Sequence, residues 1–260
     1  MIPDYPLNFW IFAVIAITLL GISKAGFGAG AALLGIPLLS MAIPVIDAAA
    51  LLLPLLIICD IFSVLYYRNR FDRQSLNRLL PGAIAGIALG AFFFGFFQGN
   101  QQMLKTGIGI LAVTFVFHQL LKNTLAGVYK NYTPTAKEGV FWGCVSGFTS
   151  TLAHAGGPPV MIYLLPQKLP RDLFVGTTVI FFATMNVIKL IPYHYLGLLR
   201  VGNLVTVLVL SPLIYLGVVL GIYLNRRFSD LWFNRVIYTL LFLTGTQLII
   251  GKSLMKLLFP

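Results

Sequence analysis

Apolar residues run in eight long stretches, at about 8–40, 44–67, 79–98, 102–121, 139–165, 173–193, 203–224 and 232–250, with Arg, Lys, Asn and Pro collected between them. Most of these stretches match the roughly 20 residues with which a helix crosses about 30 Å of hydrocarbon. The pattern predicts an all-α membrane protein of eight hydrophobic segments. Two segments are interrupted at their middles. GISKAGFGAGAALLGIP runs from Gly21 to Pro37, and GCVSGFTSTLAHAGGPP runs from Gly143 to Pro159. Backbone polar groups in hydrocarbon must be paired, so such a break is tolerated only where protein covers it or a watery cavity meets it.

The two interruptions belong to a longer correspondence. Gly26, Gly35 and Pro37 match Gly147, Gly156 and Pro158 at a spacing of 121, and Pro44, Asp60 and Tyr67 match Pro170, Asn186 and Tyr193 at 126. Pro81, Gly86 and Gly90 then match Pro212, Gly217 and Gly221 at 131. The spacing grows between runs, where insertions belong, so a duplicated four-segment unit is expected: 1–121, a connection at 122–138, and 139–260. The first segment of each unit is the broken or re-entrant one.

Charge bears on how the units are oriented. Lys and Arg number 18 against 7 Asp and Glu, and nearly all of the 18 lie in the short connections, where cytoplasmic loops collect them. If all eight runs cross the membrane, with the N-terminus in the cytoplasm, 10 fall on the cytoplasmic side and 6 outside. If the broken runs return to the side they came from, the division becomes 12 against 4, with Arg68–Arg78, Lys122–Lys137, Lys168 with Arg171, and Arg226 with Arg227 all cytoplasmic. The second division favours inverted repeats with both termini outside.

Composition agrees with this class and narrows it. The chain is 58% hydrophobic and only 10% charged, with mean hydropathy +0.91, which leaves no stretch to build a soluble domain with a basic face for nucleic acid. MIPDYPLNFW lacks the basic start and small-residue cleavage site of a signal peptide, so the first run is expected to stay in the mature protein. Cys59 and Cys144 lie in apolar runs and form no CxxC pair, so neither a metal nor another cofactor is expected. Trp10, Trp142 and Trp232 sit near the starts of runs, where amphipathic rings anchor at the headgroups.

Few ionisable residues remain inside the runs. Lys24 lies in the first broken run, His154 in the second, Asp60 in the run after the first break and Lys189 in the corresponding run of the second unit. A charge at mid-bilayer costs at least about 2.5–3.5 kcal/mol, so its retention points to a cavity, a partner or a pathway. Two lysines, a histidine and two sets of helix N-termini against one carboxylate predict an electropositive site for a small anion. Asp60 matches Asn186, so a polar group is needed there more than a negative one; were an ion co-transported, Asp60 or His154 would carry the proton. Gly86, Gly90, Gly217 and Gly221, four apart, read as close helix packing. Ser146, Thr149, Ser150 and Thr151 stand near His154, but no third member, GxSxG or HExxH accompanies them, so no enzyme is expected. A cation permease would want several intramembrane carboxylates, and only Asp60 is available.

GFGAGAALLGIP from Gly26 to Pro37, AHAGGPP from Ala153 to Pro159, the short length and the duplicated four-helix unit resemble the TauE/SafE family of sulfite exporters. The resemblance implies a multi-pass permease of the bacterial inner membrane that moves sulfite, thiosulfate or a related organosulfur anion. It implies a substrate region at Gly26, Gly28, Gly30, Gly35 and Pro37 and at Gly156, Gly157 and Pro158, with Asp60 and Asn186 adjoining. With Lys24, His154 and Lys189 added from the charge pattern, the expectation is an exporter of a small sulfur anion working by alternating access. The other readings are a proton-coupled anion importer and a non-transport membrane scaffold or receptor. Lipid is the expected surrounding, and pairing into a homodimer stays open.

Overall fold

In the computed structural model, residues 5–26, 34–97, 100–125, 133–199, 201–227 and 238–250 without 240, 244 and 247 are described. They are helical, and no strand occurs among them. The helices are α1 (Leu7–Gly26), α2 (Gly35–Leu39), α3 (Val45–Tyr67), α4 (Arg73–Phe97), α5 (Gln101–Leu125), α6 (Ala136–Ala153), α7 (Gly157–Leu164), α8 (Arg171–Tyr195) and α9 (Val201–Arg227). Five of them, α1, α3, α4, α8 and α9, are long and apolar enough to cross a membrane. In α5 the apolar part is shorter, Gln102–Phe117. The two interrupted runs of the sequence become helix pairs, α1 with α2 and α6 with α7.

Local sequence accounts for the helix starts. Thr135 and Glu138 form a reciprocal cap on α6: the Thr135 hydroxyl accepts from the Glu138 amide, and the Glu138 carboxylate accepts from the Thr135 amide at 2.7 Å. Pro44 and Pro170 precede α3 and α8 with nearly the same backbone, φ −54° and ψ 144° against φ −50° and ψ 143°. A proline there fixes φ and supplies no amide that the helix would have to satisfy.

Glycine decides which helices lie side by side. A Cβ on Gly86 would strike the Cys144 carbonyl of α6, and one on Gly147 would strike the Ala83 carbonyl of α4. Gly82, Gly86 and Gly90 thus meet Val140, Cys144 and Thr151 in the same order, and α4 and α6 run parallel. On the other flank, Gly217 and Gly221 of α9 abut Thr18, Gly21 and Ile22 of α1, again in parallel. Apolar side chains gain nothing from leaving lipid, so close backbone approach through small residues is what holds such pairs together.

Between these flanks α3 and α8 cross antiparallel. The C-terminal end of α3 meets the N-terminal end of α8 through Tyr67, Val175 and Val179, while Asp60 meets Asn186 further along. The Arg70 guanidinium donates to the Asp172 carboxylate at 2.8 Å beside this junction. Tyr67 also reaches Ala25, so α1 and α3 end at the same level. Tyr193 and Thr151 place the ends of α8 and α6 together in the same way. Trp10 packs edge-on against Phe9, and Trp142 is half-buried against the cluster around Tyr163 and Phe181; Trp232 lies outside the described residues.

Candidate functional site

Each break leaves a helix C-terminus inside the protein, with carbonyls that no water can satisfy. The partner is a tyrosine from two helices on. Tyr67 of α3 donates its hydroxyl to the Ala25 carbonyl at 3.1 Å, and Tyr193 of α8 donates to the Thr151 carbonyl at 2.9 Å. Beyond α6 the chain turns at His154, which adopts a left-handed backbone with φ 50° and ψ 26°. Glycine takes that conformation freely, whereas a residue with a Cβ gives up about 1–2 kcal/mol. The histidine ring therefore occupies a position that backbone economy would assign to glycine.

The ends of α1 and α6 bring the intramembrane ionisable residues together against α3 and α8. Lys24 forms an ion pair with Oδ1 of Asp60, and Asn186 donates from Nδ2 to Asp60 Oδ2 at 2.7 Å. Lys189 donates from Nζ to the Ser150 hydroxyl at 3.0 Å and to the Ser150 carbonyl at 3.3 Å, and it meets His154 Nδ1 at 3.0 Å. Three acceptors match the three protons of an ammonium group. His154 Nε2 lies 3.0 Å from the Ala49 carbonyl, which can only accept. That contact puts the ring proton on Nε2 and leaves Nδ1 free to accept from Lys189, as a neutral imidazole does.

All six side chains are buried; the most exposed residue, His154, keeps 5% of its surface. The cluster holds two lysines against one carboxylate, a formal excess of positive charge in a medium that screens little. A cleft opens against it, lined by Lys24, Leu56, Ser150, His154, Gly157, Phe182 and Asn186. Asp60 is not in that lining; it contacts Lys24 and Asn186, which are. Lys189 touches the lining through Ser150 and His154.

Of the residues expected from sequence, Lys24, His154, Gly157 and Asn186 line the cleft, and Asp60 and Lys189 contact residues that do. Gly156 is turned away from it: its carbonyl accepts from the Ser146 hydroxyl at 2.8 Å, and an added Cβ would meet Ser146 Oγ at 2.7 Å and Phe182 Cε1 at 3.0 Å. Gly35 and Pro37 lie in buried α2, where Gly35 packs on Leu52 and Leu20 and the Pro37 carbonyl accepts from Ser40. Neither is in the cleft lining, and Pro158 is half-buried outside it. Gly26 ends α1, while Gly28 and Gly30 lie outside the described residues.

The helix N-termini contribute less than their place in the sequence suggested. Prolines at 158 and 159 carry no amide proton, so Gly157 alone among the first three positions of α7 can donate. Side-chain donors make up the site instead. Leu56 and Phe182 had no distinguishing mark in the sequence; Ser150 was noted only as one of the hydroxyls near His154, and it stands 126 positions after Lys24. Among the described residues no group of His, Cys, Asp and Glu could hold a metal ion, and Cys59 and Cys144 are free thiols.

The family model for the sulfite exporter TauE/SafE matches residues 13–248, from within α1 to the last described segment. No curated protein and no solved structure matches the chain.

Proposed function

Because the chain belongs to the TauE/SafE sulfite exporter family, a family of membrane transporters, we propose that it exports sulfite, thiosulfate or an organosulfonate across a bacterial inner membrane by alternating access. The observation that carries this reading is the cleft between the two helix breaks, lined by Lys24, Ser150, His154 and Asn186 and backed by Lys189. An anion there would accept from the Lys24 ammonium, the Ser150 hydroxyl and the second Asn186 amide proton, and a monovalent anion would offset the lysines' excess over the one carboxylate. Gly35, Pro37, Gly156 and Pro158 then serve as frame, with Gly157 the one glycine of the described residues at the cleft itself; Gly26, Gly28 and Gly30 remain proposed substrate positions from the family resemblance.

Alternating access needs two parts that can rock about a shared site. Two inverted repeats, 1–121 and 139–260 joined through 122–138, are the parts we propose. Four observations support them: the common backbone at Pro44 and Pro170, the tyrosine bonds at Ala25 and Thr151, the antiparallel crossing of α3 and α8, and the contact of Asp60 with Asn186, 126 positions on. A register of 126 over the first and third helices of each unit is also supported by Gly21 and Gly147, each of which presses on the neighbouring flank helix.

Direction follows from charge. With the cell interior negative, releasing one net negative charge is downhill by about 2.3 kcal/mol per 100 mV, so export needs no coupling ion. Flux of labelled sulfite from proteoliposomes holding the purified full-length protein, with and without an imposed potential, tests the reading. Efflux accelerated by a negative interior is expected. Movement of a cation or neutral solute with none of any sulfur oxyanion would overturn it.

A further inference from the structure

Asp60 is the only carboxylate in the cluster, and its placement is unusual for a residue of an anion site. Both of its oxygens are engaged, Oδ1 by Lys24 and Oδ2 by Asn186, and it is not among the residues that line the cleft. Lys24 thus both lines the cleft and pairs with a carboxylate that does not.

Resting on the transport reading above, we infer that Asp60 is a fixed counter-ion that lets the empty carrier turn over, so that the protein performs net export and not only exchange of one anion for another. Two unpaired ammonium groups in a closed, empty site would hold it open to water, because an uncompensated charge in low dielectric costs several kcal/mol. With Asp60 in place only the Lys189 charge is uncompensated in the empty state, and its three acceptors spread that charge. Without Asp60, the passage back requires an anion, and the carrier becomes an exchanger.

The test uses full-length protein in proteoliposomes loaded with labelled sulfite, with the potential clamped at zero by potassium and valinomycin. Efflux is measured into sulfite-free buffer and into buffer with unlabelled sulfite, and the readout is the ratio of net efflux to exchange. Asp60→Asn is expected to lower that ratio roughly 70-fold, the lower end of what one uncompensated mid-bilayer charge imposes. The double variant Lys24→Gln/Asp60→Asn removes both charges and is expected to return the ratio to within about threefold of wild type, whatever its absolute affinity. A merely structural role for Asp60 would depress both modes equally, and an unchanged ratio overturns the inference. Should Asp60→Asn lose both modes, recovery in the double variant supports charge compensation, and failure to recover overturns it. A ratio that falls in Asp60→Asn and stays low in the double variant also overturns it. A wild type that moves neither sulfite nor thiosulfate in either mode fails the transport reading itself and this inference with it; a transporting wild type whose Asp60→Asn ratio is unchanged fails the inference alone.

Discussion

Around the first break, α1 brings Lys24 and Ala25 to Asp60 and Tyr67 of α3; around the second, α6 brings Ser150 and Thr151 to Lys189 and Tyr193 of α8. Ser150, Thr151, Asn186 and Tyr193 stand 126 positions after Lys24, Ala25, Asp60 and Tyr67, and Lys189 stands 126 after Ser63. The tyrosines do the same work in both, closing a carbonyl at a helix end. The charges do not correspond. In the first region the lysine sits on the helix that breaks and pairs with an aspartate across from it, while in the second it sits on the crossing helix and bonds the hydroxyl that stands where the first region has its lysine.

The difference has a physical cause where the two regions meet. Asp60 and Asn186 occupy corresponding positions on antiparallel helices and touch one another at 2.7 Å. Two carboxylates at that distance could not both be ionised, so corresponding residues at such a contact must differ. An acid facing an amide solves this, and once one side is acidic the neighbouring cation belongs beside it. A frame can be copied; the charged residues at its meeting point cannot.

Variants that restore or erase this asymmetry should show the largest effects. Asn186→Asp removes the donor and sets a second carboxylate against Asp60, which should cost about 3–5 kcal/mol of stability unless a proton is taken up; thermal unfolding of the detergent-solubilised protein at pH 5 and pH 8 would detect it, with the larger loss at pH 8. Lys189→Met keeps the aliphatic bulk but removes the cation from the second region. Sulfite flux should fall about 10- to 100-fold with insertion intact, as expected for a charged hydrogen-bonding group worth about 1.5–3 kcal/mol; flux near wild type would mean that Lys24 alone serves the anion.

Smaller effects sharpen the comparison. At position 154, glycine and alanine both remove the ring, but only glycine suits a backbone at φ 50°. His154→Gly should be more stable than His154→Ala by about 1 kcal/mol, while both lose flux relative to wild type. Equal stability would mean that the turn relaxes when the ring is gone. Tyr67→Phe and Tyr193→Phe each delete one hydrogen bond and should cost about 1 kcal/mol apiece in unfolding, since each tyrosine closes a helix end in the same manner. A large inequality between them would show that the frame itself, and not only its charge, differs between the regions.

Much of this was legible from residue order. Eight apolar runs, two breaks and the four intramembrane ionisable residues stand out because hydrocarbon forbids casual polarity, so each exception is visible in one dimension. Asp60, Asn186 and Tyr67 with Tyr193 could be matched because the long helices carry no insertions between them. In the broken helices glycine and proline gave a spacing of 121, while Gly21 and Gly147, 126 apart, each press on a flank helix; residue types alone do not say which spacing the packing uses. Gly156 and Gly35 read as binding positions for a similar reason: glycine signals close approach without saying whether the neighbour is a ligand, Ser146 or Leu52.

The sequence by itself determined that this chain lives in a membrane, that it is interrupted twice and that its buried charge is mostly positive, because composition and spacing along the chain are sufficient to impose those outcomes. Only the tertiary structure decided which charges pair. Lys24 with Asp60, Lys189 with Ser150 and His154, and the absence of Asp60 from the cleft lining all depend on the crossing of α3 with α8 and on where α1 and α6 stop. Electrostatic energy falls off with distance through a low-dielectric interior, and distances between helices are not written in the spacing along any one of them.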